Sequence, residues 1–488
     1  MSYLNLVSFL GIFGLCGVAW LFSENRKRIP WRTLAWGVGL QLILGLLIFR
    51  VPFTRDLLDV LNNAFNGLFT AAEAGARFVF GPQTVPKVFG ENPPLGYIFA
   101  VRALPTIVFF SGFIALLYNI GVIQPITNFF ARVFYGAMRL SGAEALSGAA
   151  NIFVGIEATI VVKPFLQRMT RSELCAVLAC CFGTAASSTL AIYVGLLQPV
   201  FSNILGHLIS ASIMAIPACF VLSKILVPET EVPLTAHGIP TEAEAAVLAG
   251  GSIEPVGPGA DRRGRVSAMD AAIEGALDGV KMAVSIAAIL ILIVGLVTLV
   301  DSLFKALGGL PGPIGDVFKV VTLANLEGLL FFPLTLLTGV AWDDAWAASV
   351  TIGRRLLETE IPAYQSLAEL RRTEAISDRT LLIVSYALSG FAHIPSVGIF
   401  VGGLSAMIPK RRQEVENLGW RALFVGTLAT LMIACVAGFY DDGSPNILGA
   451  PLPPPKAAPA AAPTPPKPVA APAPAAAPAT APTIPAPR

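Results

Sequence analysis

The stretch GAEALSGAANIFVGIEATIVVKPFLQRM, residues 142–169, reads as two short helical patterns around a polar break that runs from Asn151 to Glu157. A second stretch, DDAWAASVTIGRRLLETEIPAYQSLAELRR, residues 343–372, has the same plan, with its break from Glu358 to Pro362. Both are too short or too polar to cross the ~30 Å hydrocarbon layer, which takes about 20 apolar residues. Non-helical backbone at membrane depth survives only where it is buried in protein or lines a cavity. Two interrupted segments at corresponding places in two halves are the best sequence pointer to a transporter's binding site.

Outward from these segments the chain repeats itself. Residues 142–226 and 343–439 each run interrupted hairpin, long span with a break, then a further span. The pattern predicts an inverted-repeat transport core. Apolar runs near 4–22, 33–51, 97–121, 173–199, 201–226, 281–304, 379–407 and 417–439 suit transmembrane helices. The expected fold is therefore an all-α membrane protein with about eight transmembrane helices, two re-entrant hairpins and interfacial amphipathic helices. Residues 123–141 and 267–280 have the amphipathic pattern; in the latter Asp270, Glu274 and Asp278 recur every four residues.

Charge placement predicts the orientation. Basic clusters stand at Arg26–Arg32, Arg262–Arg265 and Lys410-Arg411-Arg412. Eight alternating spans with the N-terminus outside put all three on the cytoplasmic side. The first apolar stretch is followed rather than preceded by basic residues, as in a retained transmembrane helix.

Composition agrees. Of 488 residues, 55% are apolar and 13% charged, where a soluble domain has about 25% charged, and the mean hydropathy is +0.72. A net charge of +2 gives no basis for a nucleic-acid partner. Six cysteines lie in apolar runs without metal-ligand spacing, and three histidines exclude a histidine-rich metal centre.

The expected organisation is as follows. Residues 1–95 hold N-terminal transmembrane helices and an interfacial segment. Residues 96–226 form the first half, with hairpin 142–169, and 227–266 a cytoplasmic linker. Residues 267–342 supply an interfacial helix, a scaffold helix and a connecting helix. Residues 343–442 form the second half, with hairpin 343–372. Residues 443–488, almost wholly Pro and Ala, read as a disordered tail.

Ionisable residues inside membrane segments are functional candidates by default. Glu157 and Glu360 sit in the two breaks, where a carboxylate accepts hydrogen bonds from a polar solute or carries a proton. Glu358, Arg354 and Arg355 are expected at the rim, paired or snorkelling.

Several motifs resemble the concentrative nucleoside transporter family. Asn151-Ile152-Phe153-Val154-Gly155, Glu157-Ala158, Lys163-Pro164-Phe165-Leu166 and Met169-Thr170 resemble its first hairpin, whose pattern begins N-I-F-V-G-Q-T-E-A-P. Tyr386-Ala387-Leu388, Gly390-Phe391-Ala392, Ser396 and Gly398-Ile399 resemble its Y-A-L-x-G-F-A-N-F-S-S-x-G-I run. Leu356, Glu360, Ala363 and Tyr364 resemble its second hairpin. The resemblance covers roughly residues 95–440.

It implies a homotrimer in the inner (plasma) membrane, importing nucleosides or a related small polar solute on a Na⁺ or H⁺ gradient, and not an enzyme. It implies a Na⁺ site at Asn151, Val154, Thr184 and Ala185, all offering oxygens suited to a hard cation. It implies a solute site at Gly155, Ile156, Glu157, Thr189, Thr359, Glu360, Phe391, His393 and Ser396. The chain departs from the pattern there. The G-Q-T-E tip is Gly155-Ile156-Glu157, one residue shorter; N-E is Thr359-Glu360; and N-F-S-S is His393-Ile394-Pro395-Ser396. Alternatives are a transporter or regulator of the same fold with another ligand, a passive channel, and an intramembrane enzyme built on His393 with Glu360 or Asp343.

Overall fold

A computed structural model describes residues 2–51, 67–85, 98–153, 155, 158–185, 187–238 and 267–443, and all the secondary structure among them is helical. The Arg262–Arg265 cluster, most of the 227–266 linker and the tail from Ser444 onward lie outside the described residues.

The N-terminal part supplies α1 (Tyr3–Leu21), α2 (Trp31–Arg50), a helix α3 over residues 67–80, α4 (Phe99–Asn119) and the amphipathic α5 (Ile123–Met138). Next come α6 (Gly142–Ala150) and the short α7 (Ala158–Val161) and α8 (Lys163–Leu166), which together make the first hairpin segment. Then follow α9 (Arg171–Gly183), α10 (Ser187–Leu197) and α11 (Ile204–Leu226). The later part supplies α12 (Ala268–Gly308), α13 (Pro313–Val320) and α14 (Leu323–Leu337). The second hairpin segment is α15 (Trp342–Glu358) and α16 (Glu360–Arg372). Last come α17 (Asp378–Ala387), α18 (Ile394–Met407), a 3₁₀ turn at Pro409–Arg411 and α19 (Arg412–Tyr440).

Among the described residues, six helical runs are long and apolar enough to cross a membrane: α1, α2, α4, α11, α12 and Pro409–Tyr440. The apolar runs 173–199 and 379–407 are each two helices with unwound backbone between them. The amphipathic stretch 267–280 is not a separate helix. It is the first part of the 41-residue α12, since nothing between Asp278 and Met282 stops the turn-by-turn hydrogen bonding.

Sequence-coded caps fix where helices start. Ser141 and Glu144 form a capping box on α6, and Thr170 and Glu173 form one on α9. Ser141 Oγ donates to Glu173, tying the two boxes together, and buried Lys224 of α11 pairs with Glu144. A buried cation beside these carboxylates neutralises what would otherwise be costly unpaired charge. The core is formed by α9, α11 and the part of α19 from Ala422 onward, whose side chains are almost all buried.

Polar groups gather at two ends. At one, Glu24 pairs with Arg171 and Arg421, Arg28 donates to Glu229 O, and Arg411 donates to Met169 O. This end therefore gathers two of the three basic clusters. Partial burial pushes the Glu24 carboxyl up, but the hydrogen bond and charge of Arg171, with the charge of Arg421, outweigh it and hold it below its ordinary value. At the other end, Asn5 Nδ2 donates to Phe439 O at 2.8 Å, and Arg379 pairs with Asp441 at 3.0 Å.

Candidate binding site

The site begins where the two broken helical runs meet. Between α9 and α10 the chain unwinds at Thr184 and Ala185; between α17 and α18 it unwinds from Leu388 to His393. Phe391 N–H donates to Thr184 O at 3.4 Å, joining the breaks. A Cβ on Gly390 would stand 2.7 Å from Gly183 O, so only glycine lets the two backbones come this close.

The tip of the second hairpin enters the same region. Thr359 alone separates α15 from α16 and has φ +86°, ψ 171°. A β-branched residue at positive φ is strained, and such strain is held in place only by surrounding structure. Glu360 follows, 3% exposed. Tyr193 Oη donates to Glu360 Oε1 at 2.8 Å, and His393 Nε2 stands 2.9 Å from Oε2. The ring N–H is not aimed straight at that oxygen, so the contact is short but bent.

His393 is also the N-cap of α18, its Nδ1 accepting from Ser396 N–H at 3.2 Å. A ring nitrogen that accepts a backbone N–H carries no proton. The network thus assigns the proton of the neutral ring to Nε2, facing Glu360. Behind the carboxylate, Tyr193 stacks on Tyr364 with centroids 4.8 Å apart, and Tyr364 Oη donates to Ser385 O at 3.1 Å.

A pocket of about 110 Å³ opens onto these groups. It brings together Gly155, Thr189, Thr359, Glu360, Phe391, His393 and Ser396 of the expected solute residues. Ile156 and Glu157 lie outside the described residues. The opposite wall is Met282, Ile286, Ile289 and Leu290 of α12, which the sequence reading had as scaffold only. Nothing in an unbroken apolar run marks which face will line a cavity. Tyr193, deep in an apolar segment, was missed for the same reason.

Arg355 corrects an expectation. Arg354 does pair with Glu358 at 2.8 Å near the rim, but Arg355 is 1% exposed. Its Nη1 donates to Ala387 O and, at 3.0 Å, to Thr430 Oγ1. Neighbouring residues on a helix point about 100° apart, so one arginine faces the rim and the next faces α17 and α19.

The expected Na⁺ ligands are partly in view. Asn151 is fully buried; its Nδ2 donates to Ser147 O at 3.2 Å, and its Oδ1 has no hydrogen-bond donor among the described residues. Thr184 Oγ1 donates to Cys180 O at 2.9 Å, which leaves its lone pairs available. Ala185 is buried in the unwound stretch. Val154 lies outside the described residues.

Interrupted helical segments and broken helices that meet at a pocket beside buried polar residues, within a bundle of membrane-length helices, define a multi-pass membrane transporter. Residues 10–83 and 207–438 match the models for the N-terminus and C-terminus of Na⁺ dependent nucleoside transporters, and residues 100–200 match one described as nucleoside recognition. An uncharacterized transporter of Haemophilus influenzae is 34% identical over 89% of this chain and 97% of its own length. The nucleoside permease NupC of Helicobacter pylori is 31% identical over 90% of this chain and 99% of its own. A solved structure of CNTnw in an inward-facing substrate-bound state superposes with TM-score 0.76 at 36% identity, covering 89% of this chain and 98% of the other. The chain belongs to the concentrative, Na⁺ dependent nucleoside transporter family.

Proposed function

We propose that this protein imports nucleosides across the inner membrane by coupling their entry to the inward movement of Na⁺. One observation carries the solute half of this reading: Glu360, His393 and Ser396 converge on a pocket whose far wall is apolar. A carboxylate and a neutral imidazole offer an acceptor and a donor to adjacent hydroxyls, as on a ribose. Phe391, Thr189 and the α12 wall offer a surface for a flat base. A site built on such bonds rejects solutes that leave them unmade. Glu157 and Ile156 complete the first tip in this reading, and the solute leaves chemically unchanged.

Na⁺ is assigned to Asn151 Oδ1 and Thr184 Oγ1, with backbone oxygens of Val154 and Ala185. The buried, unpartnered Asn151 oxygen supports this assignment. Both hairpins are read as re-entrant, and the three basic clusters as cytoplasmic. The outward apolar face of α12, with Ile291, Leu292 and Leu299 exposed, supports packing of three copies, with lipid on the remainder.

The second reading is a related small solute other than a nucleoside. It is favoured by the contact of His393 with one Glu360 oxygen, which a nucleoside would have to share or displace. Calorimetric titration of purified protein with nucleosides, free bases and free ribose, in Na⁺ and in choline, tests both. Binding of nucleosides that strengthens in Na⁺ is expected. Binding of a base or sugar alone, with no nucleoside binding, would replace the first reading with the second.

A further inference from the structure

We infer that Glu327 is a proton-binding site at the joint between α14 and the outer arm of the second hairpin. Glu327 is 5% exposed, and both carboxyl oxygens are buried without a hydrogen-bond partner among the described residues. It stands where α14 and α15 approach most closely. A Cβ on Gly353 would come within 2.8 Å of the Glu327 carbonyl, and one on Gly328 within 2.6 Å of Val350. The Glu327 carboxyl is thus buried beside a tightly packed helix crossing.

The charged groups facing Glu327 are Arg354 and Glu358 of α15 and Asp301 of α12. Arg354 is already engaged by Glu358. At the far end of α14 the titratable neighbours are the thiols of Cys435 on α19 and Cys16 on α1, with Cys435 Sγ donating to Leu337 O at 3.5 Å. None of these supplies Glu327 with a counter-ion of its own. An unpaired carboxylate out of water costs far more than binding a proton. The proton comes from water and returns to it.

Ionisation and helix separation are therefore linked. The packed α14–α15 joint keeps the proton, and releasing it favours parting the helices. The sign follows directly: the packed form binds the proton more tightly than a parted or unfolded form does, so its stability falls as pH rises. This inference is independent of which solute the pocket takes.

Two readouts on purified full-length protein in lipid test it, and neither needs transport. Infrared difference spectra between about pH 5 and 9 are expected to show the carbonyl band of a protonated buried carboxyl at neutral pH. That band should be missing in Glu327→Gln. The melting temperature of the parent should fall more steeply with rising pH than that of Glu327→Gln, which mimics the neutral acid. Glu327→Leu, which also lacks the carboxyl, should match Glu327→Gln in both readouts. An unchanged protonated-carboxyl band in both variants, or the same pH slope in parent and variants, would overturn the proposal.

Discussion

The two halves of the chain carry opposite chemistry at the breaks in their helices. In the first half, Asn151 keeps a buried oxygen without a donor among the described residues, and Thr184 keeps lone pairs free beside unwound backbone. In the second half, Glu360 is already engaged by Tyr193 and His393, and the tip is held at a strained Thr359. Open oxygens without charge suit a cation that must enter and leave. A carboxylate held in place by neighbours suits an oriented polar solute, because its orientation is fixed before the solute arrives. If the proposed sites hold, one repeated plan carries two different jobs, and the variants below separate them.

Glu360→Gln should give the largest effect. Loss of a hydrogen bond to a charged acceptor weakens solute binding about 10- to 100-fold, measured by titration at saturating Na⁺. The Na⁺ dependence of what remains should be unchanged. A Glu360→Gln protein whose Na⁺ requirement shifts as much as its solute affinity would merge the two sites.

Asn151→Ala should do the converse. The Na⁺ concentration for half-maximal uptake should rise about 10-fold, while solute affinity at saturating Na⁺ changes little. Sodium-independent uptake in the parent would remove this assignment and bring proton coupling forward.

A smaller effect is expected at His393. Its Nδ1 caps α18 by accepting from Ser396 N–H, and its Nε2 faces Glu360. Asparagine can keep the cap through its side-chain oxygen but does not carry the second ring nitrogen that reaches the carboxylate. His393→Asn should change solute affinity only a few-fold, or about 1 kcal/mol, measured by titration at saturating Na⁺. Unchanged affinity would make His393 a helix cap and no more.

The smallest effect belongs to the polar end, far from both tips. Its partners hold the Glu24 carboxyl below its ordinary value, so its stabilisation is present above the ordinary carboxylate range and is lost as pH falls through the lowered value. Partly exposed ion pairs contribute no more than about 1 kcal/mol. Glu24→Gln should therefore lower the melting temperature slightly at neutral pH and not at acid pH, with uptake unchanged.

What the sequence revealed follows from where polar residues interrupt apolar runs. Asn151 and Glu360 were visible because a carboxylate or amide in such a run needs a reason. That each of the long spans 173–199 and 379–407 contains a break was visible, but not that the breaks fall at Thr184-Ala185 and from Leu388 to His393. Tyr193 and the α12 wall were not visible, because a residue in a uniformly apolar helix carries no sign of the face it will present. Arg355 was misplaced to the rim because adjacent arginines look alike until α17 and α19 surround one of them. Glu327 was passed over because α14 is short and lies outside the two repeated units, so nothing nearby marked it as buried.

The central claim is that the two tips bind different species and that the binding of one drives the other. Purified protein in liposomes, given labelled nucleoside under an imposed Na⁺ gradient, tests this most directly. The account predicts accumulation above the outside concentration, which collapses when the Na⁺ gradient is dissipated and falls about 10- to 100-fold in Glu360→Gln at low solute concentration. Uptake that only equilibrates, or that accumulates equally without a Na⁺ gradient, would contradict it.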